Sequence, residues 1–186
     1  MGWIILAIVL LLVIAIISMY NGLVSARVKV DNAWSQIDVQ LQRRFDLIPN
    51  FVETVKGYAT HESETFEKIT KLRTSWATAG TVAEKAELDN QLSGALKTIM
   101  AVSENYPDLK ANQNFSELSE ELRNTENKIS FSRQFYNDSV TMYNQKLQLF
   151  PSNIIAGMFN FQPRELFAVE NAEVRKNVKV DFGKNA

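Results

Sequence analysis

The sequence predicts an all-α fold, an N-terminal transmembrane helix followed by an antiparallel up-down four-helix bundle. Three observations lead there. Residues 3 to 17 hold no charged or strongly polar side chain. Behind them, apolar residues recur at the three- and four-residue spacing of a helix stripe. Four prolines and seven glycines in 186 residues leave long stretches without helix breakers. The breaks between stripes are short, and short connections make successive helices antiparallel neighbours.

The membrane anchor is read over residues 1–20, carried by Trp3, Ile4, Ile5, Leu6, Leu10, Leu11, Leu12, Ile14, Ile17 and Tyr20. On a helix, Trp3 and Tyr20 stand ~26 Å apart, close to the roughly 30 Å hydrocarbon layer of a bilayer. Aromatic rings at both ends suit the two interfaces. A cleavable signal peptide fits less well, because no Lys or Arg precedes the run, the run is long for a signal core, and Val24-Ser25-Ala26 matches a cleavage site only weakly. The expectation is a retained helix with a one-residue overhang and about 160 residues of soluble domain behind it. Arg27 and Lys29 are the nearest charges, so the positive-inside bias places that domain in the cytoplasm, with Asp31 and Asp38 diluting the excess.

The bundle is expected over residues 21–150. Its first helix carries the stripe Val24, Val28, Trp34, Ile37, Leu41, Ile48, Phe51 or Val52, Val55 and Tyr58, continuous with the anchor. Pro49 should kink it near Phe45, whose turn loses a donor. Lys56-Gly57 predicts a glycine-capped end and Thr60 a fresh start, with one bent helix through to Trp76 as the alternative. A second helix is expected from His61 to Thr78, with Phe66, Ile69, Leu72 and Trp76 inward. Thr81 and Glu84 match a capping box opening a third helix with Leu88, Leu92, Leu96, Ile99 and Met100 inward. Tyr106-Pro107-Asp108 should stop it. Asn114 with Glu117 is expected to cap a fourth helix through Leu118, Leu122, Ile129, Tyr136, Val140, Tyr143 and Leu147, up to Phe150-Pro151. Trp34, Ile37, Leu41, Ile48, Trp76, Leu92, Leu122, Ile129, Tyr136 and Tyr143 are the expected bundle core.

Residues 151–186 form an apolar segment and a basic tail. The fourth helix is as long as the soluble part of the first, so it brings this segment back to the membrane-proximal end. Ile154, Ile155, Met158, Phe159 and Phe161 are the candidates for the membrane interface, or alternatively for a plug closing the bundle. Arg175, Lys176 and Lys179 would lie close by.

Chemistry is sparsely provided. A net charge of −1 with interspersed signs argues against a nucleic-acid surface. The single histidine, His61, lacks the partner a metalloprotease helix or a di-iron bundle needs, and reads as a surface or capping residue. The absence of cysteine excludes thiol chemistry and cysteine-bound metal. Asp38, Asp46 and Glu53 fall near one side of the first helix beside Arg43 and Arg44, which reads first as a salt-bridged face and second as an acid-base or cation site. Tyr136-Asn137 and Tyr143-Asn144 repeat seven apart and read as polar pairs fixing helix register. No catalytic, cofactor-binding or metal residues are expected.

One resemblance covers nearly the whole chain. Ala33-Trp-Ser-Gln-Ile-Asp-Val-Gln-Leu41, Asp46-Leu-Ile-Pro-Asn50, Val55-Lys-Gly-Tyr-Ala-Thr-His-Glu62, Tyr106-Pro-Asp-Leu-Lys-Ala111, Thr125-Glu-Asn-Lys-Ile129, the two Tyr-Asn pairs and Phe150-Pro-Ser-Asn-Ile-Ile-Ala156 closely resemble the LemA family. The resemblance implies bacterial origin and an anchored four-helix bundle, and therefore a single-pass protein of the bacterial cytoplasmic membrane. It implies no reaction. Family members linked to internal membrane compartments suggest a role in organising or shaping membrane. The expected function is a non-enzymatic, membrane-anchored scaffold that self-associates, with membrane lipid, further copies and a membrane protein as partners. An adaptor subunit for a membrane protease or hydrolase is the alternative, and an unrecognised enzyme using bundle carboxylates is the third.

Overall fold

The computed structural model of the chain describes residues 1–59 and 63–167. Among these, all regular structure is helical. Helix α1, Gly2–Lys56, runs for 55 residues, ~80 Å at the standard rise. The large apolar side chains from Trp3 to Ile17 along its first turns are exposed. The helix runs on past Pro49 without ending, and Phe45, Ile48, Phe51 and Val52 around the missing N–H are all buried. The helix ends as expected, with Lys56 in its last turn and Gly57 as the cap, in right-handed conformation at φ −64°. Thr60 and His61 lie outside the described residues.

Helix α2, Ser63–Thr78, buries Phe66, Ile69, Leu72 and Trp76. Helix α3, Val82–Ser103, opens on the expected capping box: the Thr81 hydroxyl accepts from the Glu84 N–H at 3.1 Å, and the Glu84 carboxylate accepts from the Thr81 N–H at 3.0 Å. The Glu84 carboxyl is held below its ordinary value by the backbone N–H groups of Thr81 and Gly80. Proline 107 stops α3 and also opens a one-turn helix, α4, Pro107–Lys110, at the first position, where its missing N–H costs nothing. Helix α5, Gln113–Gln148, is capped by Asn112, whose side chain accepts from the Phe115 N–H at 3.1 Å. Asn114 is therefore already inside the first turn. The extended backbone at position 112, which α4 imposes, decides between the two asparagines. A last short helix, α6, spans Ser152–Met158.

Cross-helix contacts give the topology. Along α1 and α5, Tyr58 meets Asn112, Phe51 stacks on Phe115 at 5.8 Å, Arg43 pairs with Glu121, and Trp34 lies 5.7 Å from Tyr136, so the two helices are antiparallel. Trp76 of α2 stacks on Phe45 at 4.3 Å, and α3 climbs alongside α1 with Lys85 on Asp38 and Asp89 on Arg44. This is the up-down-up-down arrangement. Of the expected core, Ile37, Leu41, Ile48, Trp76, Leu92, Leu122, Ile129, Tyr136 and Tyr143 are buried in one continuous cluster. Trp34 departs from the rest: it is only partly buried, packed against that cluster with its ring 5.7 Å from Tyr136 and 6.3 Å from Phe167.

Candidate functional site

The site begins where the apolar span ends. Leu23, one turn past Tyr20, is buried against Ile155 and Ala156, with Met19, Tyr20, Leu147 and Phe161 around them. The Tyr20 ring lies 4.7 Å from Phe159 and 5.8 Å from Phe161, and the Arg27 guanidinium sits 5.3 Å over the Phe161 ring. Helix α6 is thus docked on α1 at the exit of the span. Its expected interface residues divide into two faces. Ile155 is 4% exposed and belongs to the core, a correction to its expected place at the interface. The reason is helix geometry: Ile154 and Met158, four apart, share one face, and Ile155 and Ala156 turn onto α1. Ile154 and Met158 are 52% and 69% exposed, and Phe159, Leu149 and Phe150 are exposed beside them. Phe161 is half-buried as part of the dock.

A clamp on α5 holds the chain that follows. Asn144 donates to the Arg164 carbonyl at 2.8 Å and accepts from the Arg164 N–H at 2.9 Å. Asn137 does the same to Phe167, at 3.2 and 2.8 Å. Tyr143 donates to the Gln162 carbonyl at 3.0 Å, and Tyr136 to the Glu165 carbonyl at 2.8 Å. Burial pushes both phenols above their ordinary pKa, so they stay protonated as donors. The spacing is a vernier: seven helical residues rise ~10.5 Å, and three residues of extended chain span about the same distance. Each Tyr-Asn pair therefore meets the same two positions of a strap advancing three residues per heptad. The Tyr-Asn repeat thus sets the register of this strap along α5, and not the helix-helix register expected from the sequence. Arg164 reaches Asp31 of α1 at 2.8 Å, and Phe167 is buried beneath Arg133 and Trp34. The basic residues Arg175, Lys176 and Lys179 lie outside the described residues.

A buried ion-pair cluster joins α1, α3 and α5 farther up. Arg44 bonds Asp89 at 2.7 Å and lies 2.6 Å from Glu126, while Arg133 takes the other Asp89 oxygen. Asp89 is completely buried. Burial pushes its carboxyl up, and Arg44 and Arg133 pull against that. The two acids and two guanidinia cancel, and a slip of any helix by one turn would strand a charge, so the cluster fixes register. Asp89 was not visible as a partner in the sequence, since nothing in a linear reading places it opposite Arg44, 45 residues away. Two of the carboxylates that stand out in the sequence are engaged elsewhere: Asp38 pairs with Lys85 of α3, and Asp46 accepts from Gln42 of its own helix at 2.9 Å. Among the described residues, no group of three or more His, Cys, Asp or Glu has the arrangement to hold a metal.

The family model described as LemA family matches residues 33–182. Protein LemA of Metamycoplasma hominis is 27% identical over 154 residues, covering 82% of this chain and 70% of its own. Magnetosome protein MamQ 2 of Paramagnetospirillum magneticum and magnetosome protein MamQ of Magnetospirillum gryphiswaldense are each 25% identical over 174 residues, covering 80% of this chain. The chain spans 64% of the length of these MamQ proteins. The chain belongs to the LemA family.

Proposed function

We propose that this LemA-family chain is a membrane-anchored helical scaffold that self-associates and organises or shapes membrane or membrane-protein assemblies, with its bundle on the cytoplasmic side of a bacterial membrane. The observation that carries the reading is the outward face of α6. Ile154, Met158 and Phe159 are exposed at the exit of an apolar span, and the Tyr20 and Leu23 dock together with the strap clamp hold them there. A large apolar side chain gains about 1.5–3 kcal/mol on full burial. Three partly inserted side chains would thus add a second, shallow foothold to a helix already able to span. Two footholds a short distance apart couple the tilt of the bundle to the bilayer surface, which a flexible anchor does not. Relatives named for the magnetosome support the same direction. An adaptor subunit for a membrane protease or hydrolase would use the same anchor and differ in its main neighbour.

Because the chain has no cysteine, Met158→Cys gives a unique spin label in the reconstituted full chain. Oxygen, which partitions into lipid, should relax that label more strongly than a water-soluble nickel chelate does; the reverse order would remove the foothold. Crosslinking in native membranes then separates scaffold from adaptor. A main product of two or more copies of this chain supports the scaffold, and a main product with another protein refutes it.

A further inference from the structure

Among the described residues, α2 and α3 expose no large apolar side chain, whereas α1 beyond the span and α5 together expose five: Val28, Val39, Phe131, Phe135 and Met142. The five share one face. On α5, Phe131, Phe135 and Met142 follow the four- and seven-residue spacing of one helix stripe, and on α1 Val28 and Val39 stand about three turns apart. Val39 and Phe131 line one shallow groove between the two helices, and the Lys29 ammonium lies 5.5 Å over the Phe135 ring, so both stripes border the same seam. Val39 is two residues, about half a turn, from buried Ile37, so the face points away from the core that α2 and α3 cover. Phe131 is 75% exposed, Val39 63%, and the other three are near half. Together they present on the order of 400 Å² of apolar surface. One side of a standard stable interface buries ~800 Å², a little over half of it apolar. The face therefore carries about what a dimer needs. Its composition fits as well: of the seven residues lining the groove only Lys128 is charged, and interface centres are depleted in charge. The bilayer does not cover this face, since Val28 and Val39 lie ~12 and ~28 Å beyond Tyr20 along α1.

From this arrangement we infer that the α1–α5 face is the interface between two copies of this chain, related by a twofold axis along the membrane normal. The inference rests on the scaffold reading and names the surface through which copies meet. Helix α1 continues the apolar span without a break, so copies anchored in one membrane hold the face at one height. A twofold axis parallel to the helices then sets α1 of each copy against α5 of the other. Val39 and Phe131 border one groove and so share a height. Across the axis Phe131 of one copy meets Val39 of the other, large against small, and enters the groove beside it.

The test uses the full chain in liposomes of phosphatidylethanolamine and phosphatidylglycerol. Because the chain has no cysteine, Glu87→Cys can carry a donor or an acceptor dye, and energy transfer above that of randomly dispersed anchors reports association. Phe131→Asp changes an exposed position, so it should leave the melting temperature of the bundle unchanged and raise the dissociation constant by at least about tenfold. Independently of that variant, Val39→Cys mixed with Phe131→Cys should crosslink through a short thiol reagent more strongly than either does with Lys71→Cys on the exposed side of α2. Association unchanged in Phe131→Asp, or crosslinking no stronger than with Lys71→Cys, would overturn the face and leave self-association standing. Energy transfer no greater than random in the labelled chain without Phe131→Asp would overturn self-association itself, and the face with it.

Discussion

Removing the asparagine clamp should release the strap without loosening the bundle. In Asn137→Ala/Asn144→Ala, four hydrogen bonds to the backbone of Arg164 and Phe167 are lost, two per side chain. At a net ~0.5–1.5 kcal/mol each, every asparagine contributes about 1–3 kcal/mol to holding the strap down. The strap is fastened at several further points, by the two tyrosines, the Arg164–Asp31 pair and buried Phe167. The effect should therefore appear as faster local opening and not as global unfolding. Hydrogen exchange read by mass spectrometry on the full chain is the assay. Peptides covering residues 161–167 should exchange roughly 5- to 150-fold faster in each single variant. Peptides covering the α1 and α5 core should be unchanged. Asn144→Asp keeps the acceptor for the Arg164 N–H and loses the donor, so its effect should fall between wild type and Asn144→Ala. If strap exchange is unaffected in the double variant, the clamp does not hold the strap. If the core accelerates as much as the strap, the strap is part of the cooperative bundle and the local argument fails.

Asp89→Ala leaves Arg133 without its carboxylate and buried Arg44 with Glu126 alone, and thermal or denaturant unfolding should report a loss of about 3–5 kcal/mol; a loss below about 1 kcal/mol would mean that Glu126 and water relieve both guanidinia. Ile37→Ala should cost about 2–5 kcal/mol and Trp34→Ala less, because only the former is fully buried. Equal losses in the two melts would contradict the placement of Trp34 at the core edge. Thr81→Ala should cost about 1 kcal/mol through the cap of α3, checked by the shift in denaturant midpoint. For the side of the membrane, Glu87→Cys on the exposed face of α3 should resist an impermeant thiol reagent in intact cells and react after lysis; labelling without lysis would reverse the orientation.

What could be read from the sequence was whatever depends on neighbours along the chain. The apolar run to Ile17 is a local property, and so are the stripe along α1 and the capping box at Thr81 and Glu84, where all partners lie within three residues. These settle on a long apolar helix followed by packed helices. The Tyr-Asn repeat was equally visible as a pattern, but its seven-residue spacing cannot say whether a helix or an extended strap lies opposite. Only the docked positions of Arg164 and Phe167 decide that. Asn114 differs for a related reason: a good capping side chain is a tendency of about 0.5–2 kcal/mol, small enough for the preceding turn to override. The split of α6 into an inward Ile155 and an outward Ile154 needed the dock on Leu23, since every residue of a short apolar segment looks alike until one face is covered. Asp89 between Arg44 and Arg133 rests on pairings more than forty residues apart. Charge pairing over such separations leaves no periodic trace, so it exists only once the helices are packed.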